Sequence, residues 1–359
     1  MKKLIVHVAE VNLSEESGMG RVAYHWKNEL EKRGYDFLHI GPAQVGSLPH
    51  HAFFPYAAYQ AYKQLERKAS LFLVHEPASG AFINPHIPTV LVSHGLERRA
   101  WELALIGKDG LIQPIKWRTK FFFPLWRLRL CDLGMTKSNK LLLINQEDAL
   151  YAQQKYSRDW RDIYIFNNGV YRSNINEEMQ PKDFSILFLG TWIHRKGIKT
   201  IVEAAEYLHR QEIRLKWILA GTGCDRQTVL NYWLSNPEFV EVISHFSRHQ
   251  EESILARSNI VILPSFFEGQ PLSLLQAMEA GRCCITTNCC GQRDLIQHGY
   301  NGLLHEPGDS HELATLIQQC VADKKLRTSL GKNAIFSVKN RQWETVAAEV
   351  ADEIEKLLL

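Results

Sequence analysis

Short, β-branched apolar runs recur along the chain, each followed by a loop rich in glycine or charge and then by a stretch with helical apolar spacing. In the amino-terminal half, Leu4 to Val8, Phe37 to Ile40, Leu71 to Val74, Thr89 to Ser93, Leu141 to Ile144 and Ile163 to Phe166 predict strands. Helical stretches lie between them, the alternation of a doubly wound parallel sheet. The polar residues Tyr171 to Asp183 predict a linker. The alternation then restarts, with strands predicted at Ile186 to Leu189, Leu215 to Ala220 and Ile260 to Leu263. Near the end, Val346, Val350, Ile354 and Leu357 share one face of a predicted amphipathic helix starting at Trp343.

Composition narrows the class. With 359 residues, 45% hydrophobic and 23% charged, the chain is long enough for two globular domains. A net charge of +3 without a basic tail argues against a nucleic-acid partner. The start MKKLIVHVAEV mimics a signal peptide, but His7 and Glu10 interrupt the apolar run and no small-residue cleavage site follows. No run reaches the roughly 18 apolar residues of a spanning helix. A cytoplasmic protein is therefore expected. Seven cysteines, with doublets at Cys283–Cys284 and Cys289–Cys290, do not look like a disulfide framework. Four thiols within eight residues raise a zinc reading, but neighbours on a strand point to opposite faces, so Cys283 and Cys284 read as small buried hydrophobes. No metal is expected.

The most informative stretch is SNIVILPSFFEGQPLSLLQAMEAG, from Ser258 to Gly281. A buried strand ends at Pro264, a loop carries Glu268, Pro271 stands at a first helical position, and Leu272, Leu274, Leu275 and Met278 form a helical face that stops at Gly281. A loop at the carboxyl end of such a strand, backed by a helix start, suits an anion such as a diphosphate. Glu268 lies eight positions before Gln276, so the two can reach one ligand from two sides.

This frame, through Glu268, Gly269, Pro271, Leu274, Leu275, Ala277, Met278 and Gly281, resembles the retaining glycosyltransferases of family 4 (group 1). The resemblance implies the GT-B fold: α/β, two Rossmann-like doubly wound domains facing across a cleft. Residues 1–175 would form the acceptor-side domain, 180–340 the nucleotide-sugar domain, and 341–359 a helix crossing back onto the first. In the family a second Glu, separated from the first by seven residues, accepts hydrogen bonds from the nucleotide ribose. Gln276 stands there instead, and its carbonyl can still accept.

The same resemblance assigns other positions. Gly18, Gly20 and Arg21 look like the glycine loop whose backbone approaches the donor phosphate. Gly18, Gly20 and Ala23 also match a dinucleotide pattern, but nine residues separate them from Val8 and no acid ends the second strand. His94 follows a strand directly and corresponds to a His beside the transferring sugar. Asn167, Asn168, Gly169 and Val170 resemble the turn closing the first domain. In the segment GTWIHRKGIKT the family's Arg is replaced by Thr191, while Lys196 matches and Arg195 adds a cation. Gly221 and Gly223 keep a turn close to the nucleotide, and Gln270, Leu272 and Ser273 complete the donor contacts. Further on, Cys290 and Asp294 replace a Gly and a Glu of the family pattern.

Catalysis is thus expected from His94, Lys196 and Glu268. A departing nucleoside diphosphate needs cations, and the sequence holds no Asp-x-Asp pair to carry a metal. The expected partners are a nucleotide-sugar donor and a carbohydrate or lipid-linked glycan acceptor, with no cofactor. A nucleotide-sugar epimerase and a non-catalytic sugar-nucleotide-binding protein remain alternatives. Residues 115–131, IKWRTKFFFPLWRLRLC, carry five cations, five aromatics and no acid. Either they lie on an anionic membrane surface, on the inner face, or their aromatics pack inside the first domain.

Overall fold

The computed structural model describes residues 2–16, 18–107, 115–175, 183–233 and 237–358; part of the predicted linker, residues 176–182, lies outside them. The described residues form two compact units, one made of residues 1–106, 114–169 and 343–359, the other chiefly of 170–342.

In the first unit six strands pair in parallel: β1 (Leu4–Val8), β2 (Asp36–Ile40), β3 (Leu71–His75), β4 (Thr89–Ser93), β5 (Lys140–Leu143) and β6 (Ile163–Ile165), in the order β2-β1-β3-β4-β5-β6. Strand order reverses between β1 and β3, which opens a crevice at their carboxyl ends. The last helix, Trp343–Glu355, belongs to this unit. Trp343 packs where a Cβ on Gly169 would stand and stacks on His25 at 4.4 Å. Arg33 pairs with Asp352 and Glu355, and Lys140 with Glu353 at 2.8 Å.

The second unit repeats the plan with β7 (Ser185–Leu189), β8 (Lys216–Ala220), β9 (Val240–Ile243), β10 (Ile260–Leu263), β11 (Cys283–Thr287) and β12 (Leu303–His305), ordered β12-β11-β10-β7-β8-β9. Here the switch falls between β7 and β10. Ile260 and Ile262 join one core cluster and Val261 and Leu263 the other, so β10 is buried on both faces, as parallel strands between helix layers must be. Cys283 and Cys284 divide between the same two clusters. This pair of six-stranded parallel α/β units is the GT-B fold class.

Two local expectations change. Gly18 and Gly20 do not form a loop ahead of the helix: the helix Gly18–Lys32 begins at Gly18 and both lie in its first turn. Burial of Val22, Ala23, Trp26 and Leu30 along one face outweighs the poor helix propensity of the two glycines. Pro271 is the N-cap, extended at φ −69° and ψ 123°, and the helix starts one residue later as Leu272–Glu279.

Candidate active site

The second unit brings its charged site residues together at the β7/β10 switch. After β7 the chain passes Gly190 and Thr191, makes the short turn His194–Lys196, and enters the helix Ile198–Arg210 through Gly197. Gly197 has φ +75°, and a Cβ there would collide with the Pro264 carbonyl, so only glycine lets this turn lie against the end of β10. The Phe266 N–H donates to the Arg195 carbonyl at 2.9 Å, which stitches the two loops together. As a result Lys196 Nζ sits 2.6 Å from Glu268 Oε1. Arg195 donates from Nη1 to the Phe267 carbonyl at 2.7 Å and lies 3.4 Å from the same Glu268 oxygen. Glu268 is buried, and its carbonyl accepts from the Gly291 N–H at 3.2 Å.

Around this pair stand the other positions that the resemblance assigns to the donor. Gly221 and Gly223 follow β8 with φ +73° and +68°, their N–H groups donating to Ile243 and Ser244 carbonyls. A Cβ on Gly223 would meet Thr191 Cγ2 at 4.0 Å, so Thr191, which is exposed, borders that turn. Gly291 packs on the Gly269 carbonyl with no room for a side chain. Gln270 is buried and accepts from Arg341 Nη1 at 3.1 Å. No side chain caps the helix that begins Leu272, Ser273, Leu274. An anion placed there would meet its positive end.

Gln276 has a different engagement. Its Nε2 donates to the Tyr171 carbonyl at 2.9 Å, and its Oε1 accepts from the Tyr171 N–H at 3.4 Å. The amide is thus held by both backbone groups of Tyr171, with the Arg248 guanidinium 4.0 Å above the Tyr171 ring. A carboxylate at 276 would set a negative charge against the Tyr171 carbonyl, which explains why an amide suits this chain.

In the first unit His94 follows β4, and its Nε2 is buried without a hydrogen-bond partner among the described residues. Burial pushes its pKa down to about 4, so it is neutral at pH 7. Arg21 is buried and donates to the Glu15 and Glu16 carbonyls at 2.8 and 3.3 Å, fixing the segment after β1. A Cβ on Gly18 would meet open space. Gly18, Gly20, Arg21 and His94 therefore belong to one unit, and Thr191, Arg195, Lys196, Gly221, Gly223, Glu268 to Leu274, and Gln276 to the other.

Sequence reasoning missed a histidine chain behind His94. His7 Nδ1 lies 2.8 Å from His39 Nδ1, His7 Nε2 lies 3.0 Å from His75 Nε2, and the His75 and His94 rings are 5.1 Å apart. Two neutral arrangements satisfy both contacts: protons passed from His75 through His7 towards His39, or from His39 through His7 towards His75. The signal was His7 itself, a polar residue interrupting an apolar strand.

Residues 172–335 match the family model for glycosyl transferases group 1. An uncharacterized glycosyltransferase of Methanocaldococcus jannaschii is 24% identical over 71% of this chain and 68% of its own length. N,N'-diacetylbacillosaminyl-diphospho-undecaprenol alpha-1,3-N-acetylgalactosaminyltransferase of Campylobacter jejuni is 26% identical over 46% of this chain, which spans only 42% of that protein. Among solved structures, sucrose-phosphate synthase from Thermosynechococcus elongatus superposes with a TM-score of 0.79 at 18% identity, covering 99% of both chains. HepE of Anabaena, solved with UDP and glucose, gives 0.69 at 15% identity over 98% of this chain and 99% of its own. These likenesses show a shared fold. The match to the group 1 glycosyl transferases is thus carried by the second unit.

Proposed function

We propose that this protein is a retaining glycosyltransferase of family 4 that moves a hexose-type sugar from a nucleoside diphosphate sugar to an acceptor hydroxyl without a metal. The observation that carries the reading is the Lys196–Glu268 pair, 2.6 Å apart, beside Arg195 at the switch point of the second unit. Cations there answer the charge that develops on a departing diphosphate, the work a metal does elsewhere. Glu268 binds sugar hydroxyls, and the Leu272–Glu279 helix start faces the phosphates. Thr191, Gly221, Gly223 and Gln270 line the donor's path. Gln276 reaches the ribose only by exchanging its hold on Tyr171.

In this reading the first unit takes the acceptor, and the transferring sugar meets His94, a neutral imidazole whose Nε2 has no partner among the described residues. Retention follows if the leaving diphosphate itself takes the acceptor proton on the face it departs from. The anomeric proton coupling of the product tests retention, and an inverted centre would refute it. Donor titration tests the site itself.

The acceptor class we propose is a polysaccharide or lipid-linked glycan. The named activity of the Campylobacter relative, on an undecaprenol-linked sugar, supports a lipid-linked choice. So does the surface of residues 115–131. Trp117, Phe121, Phe122, Leu125 and Trp126 are exposed, Trp117 by 72%. Lys116, Arg118, Lys120 and Arg129 are exposed beside them. Arg127 is not part of that surface, since it pairs with Glu10 and Glu97 at 3.0 and 2.7 Å. Phe123 turns inward onto Trp101 at 4.8 Å. No helix of the described residues is long and apolar enough to cross a membrane. An aromatic surface rimmed by cations instead fits the boundary of an anionic bilayer. Phosphatidylglycerol-rich vesicles should pellet the protein at low salt and release it at high salt. Failure to pellet at low salt would end the membrane reading.

A further inference from the structure

Away from the donor loops, the second unit holds a cationic cavity of about 170 Å³ at the amino ends of β10 and β11. Arg282, immediately before β11, is 4% exposed. Its Nε donates to the Ala280 carbonyl at 3.2 Å and its Nη1 to the Ser258 carbonyl at 2.9 Å. A guanidinium carries five N–H groups, so three have no acceptor among the described residues. Burial lowers its pKa, and no carboxylate counters that; only Cys284 pulls the other way. The group stays charged regardless.

The opposite wall is the helix Lys324–Val338, 15 residues long, whose first three turns bring Lys324, Arg327, Thr328 and Lys332 to the cavity. Arg327 donates from Nη1 to the Cys320 and Val321 carbonyls, and no described carboxylate pairs with it. Gly331 packs against the Gly281 carbonyl so closely that a Cβ would not fit, and this draws the helix onto Arg282. No Asp or Glu lines the cavity among the described residues. A charge buried without a counter-charge is costly, and an anion held between Arg282 and the helix would remove that cost.

We propose that this cavity is a second anion site, built for phosphate or a phosphate monoester and distinct from the donor site. Glu268 and Lys196 follow the carboxyl ends of β10 and β7, whereas Arg282 precedes β11, so the length of the sheet separates the two. The inference does not rest on the proposed reaction.

The test is thermal unfolding of the full chain in rising inorganic phosphate, with ionic strength held constant by potassium chloride. A Lys196→Ala background weakens phosphate binding at the donor site. A saturable rise in Tm is expected there. Lys324→Glu changes an exposed rim residue and should raise the phosphate concentration needed for half the effect by roughly tenfold or more. Arg327→Gln should do the same. Methyl phosphate binding tighter than phosphate would identify an ester ligand; the reverse order would identify the free ion. An unsaturating rise matched by chloride, or an unchanged response in Lys324→Glu, would overturn the proposal.

Discussion

Lys196→Ala should lower turnover by two orders of magnitude or more, measured as nucleoside diphosphate release. The ammonium is half-sequestered beside Glu268 and is the cation held most tightly at the β7/β10 switch. A charge that stabilises a leaving group counts more in the transition state than in the ground state, so turnover should fall more than the donor KM rises. Losing one such donor costs about 3–4 kcal/mol in a water-poor site. The substitution also leaves the Glu268 oxygen with Arg195 alone, at 3.4 Å. Glu268→Gln should weaken donor binding for the complementary reason, since a neutral amide holds neither cation in place. Near-normal turnover in Lys196→Ala would remove the residue from the mechanism.

The second large effect concerns pH. His7, His75 and His94 are pushed below the usual imidazole range, His94 to about 4, and burial is the first cause in each case. An unfolded His takes up a proton near pH 6.5, whereas the buried one does so only at lower pH. Between those values the unfolded chain binds more protons, so folding stability falls as pH drops. His94 alone removes about 3 kcal/mol between pH 7 and pH 4. Glu76, at the end of β3, works in the opposite direction. Burial raises its pKa to about 8, so its folded form resists ionisation and stability declines as pH rises from about 4.5 towards 8. Below pH 4.5 Glu76 is protonated in both states and contributes no slope, while the paired carboxylates Glu241 and Glu353, whose pKa values are lowered by their cations, add to the loss from the histidines. Urea midpoints at pH 7 and pH 4 for the protein and for His94→Gln isolate the His94 share. The acid loss should shrink by about 3 kcal/mol in the variant; an identical loss would show that His94 is not held neutral by burial.

What could be read from the sequence was what depends on neighbours in the chain. Strands β1, β4 and β10 fall on their apolar runs because β-branched residues between breakers have few alternatives. That Lys196 and Glu268 lie at strand ends was legible because each follows a strand within a few residues of a glycine or proline. What was not legible depends on residues brought together from afar. The resemblance makes Gln276 a ribose ligand, but nothing in its neighbourhood along the chain announces that its amide is held by the backbone of Tyr171, 105 residues away. The histidine chain joins strands whose partners lie 32 and 68 residues apart. Strand β12 is three residues long and carries too little pattern to announce itself. The cationic cavity draws Arg282 from a strand start and Arg327 from a helix whose surface reads as ordinary solvated charge.

One measurement bears most directly on the central claim that the β7/β10 switch binds a nucleoside diphosphate sugar without a metal. Purified protein and its Glu268→Ala variant are titrated with UDP-, GDP- and ADP-linked sugars, with and without EDTA, following thermal stability. The account predicts saturable stabilisation by one of these donors, unchanged by EDTA and lost in the variant. Stabilisation by none of them, or stabilisation that EDTA abolishes, would contradict it.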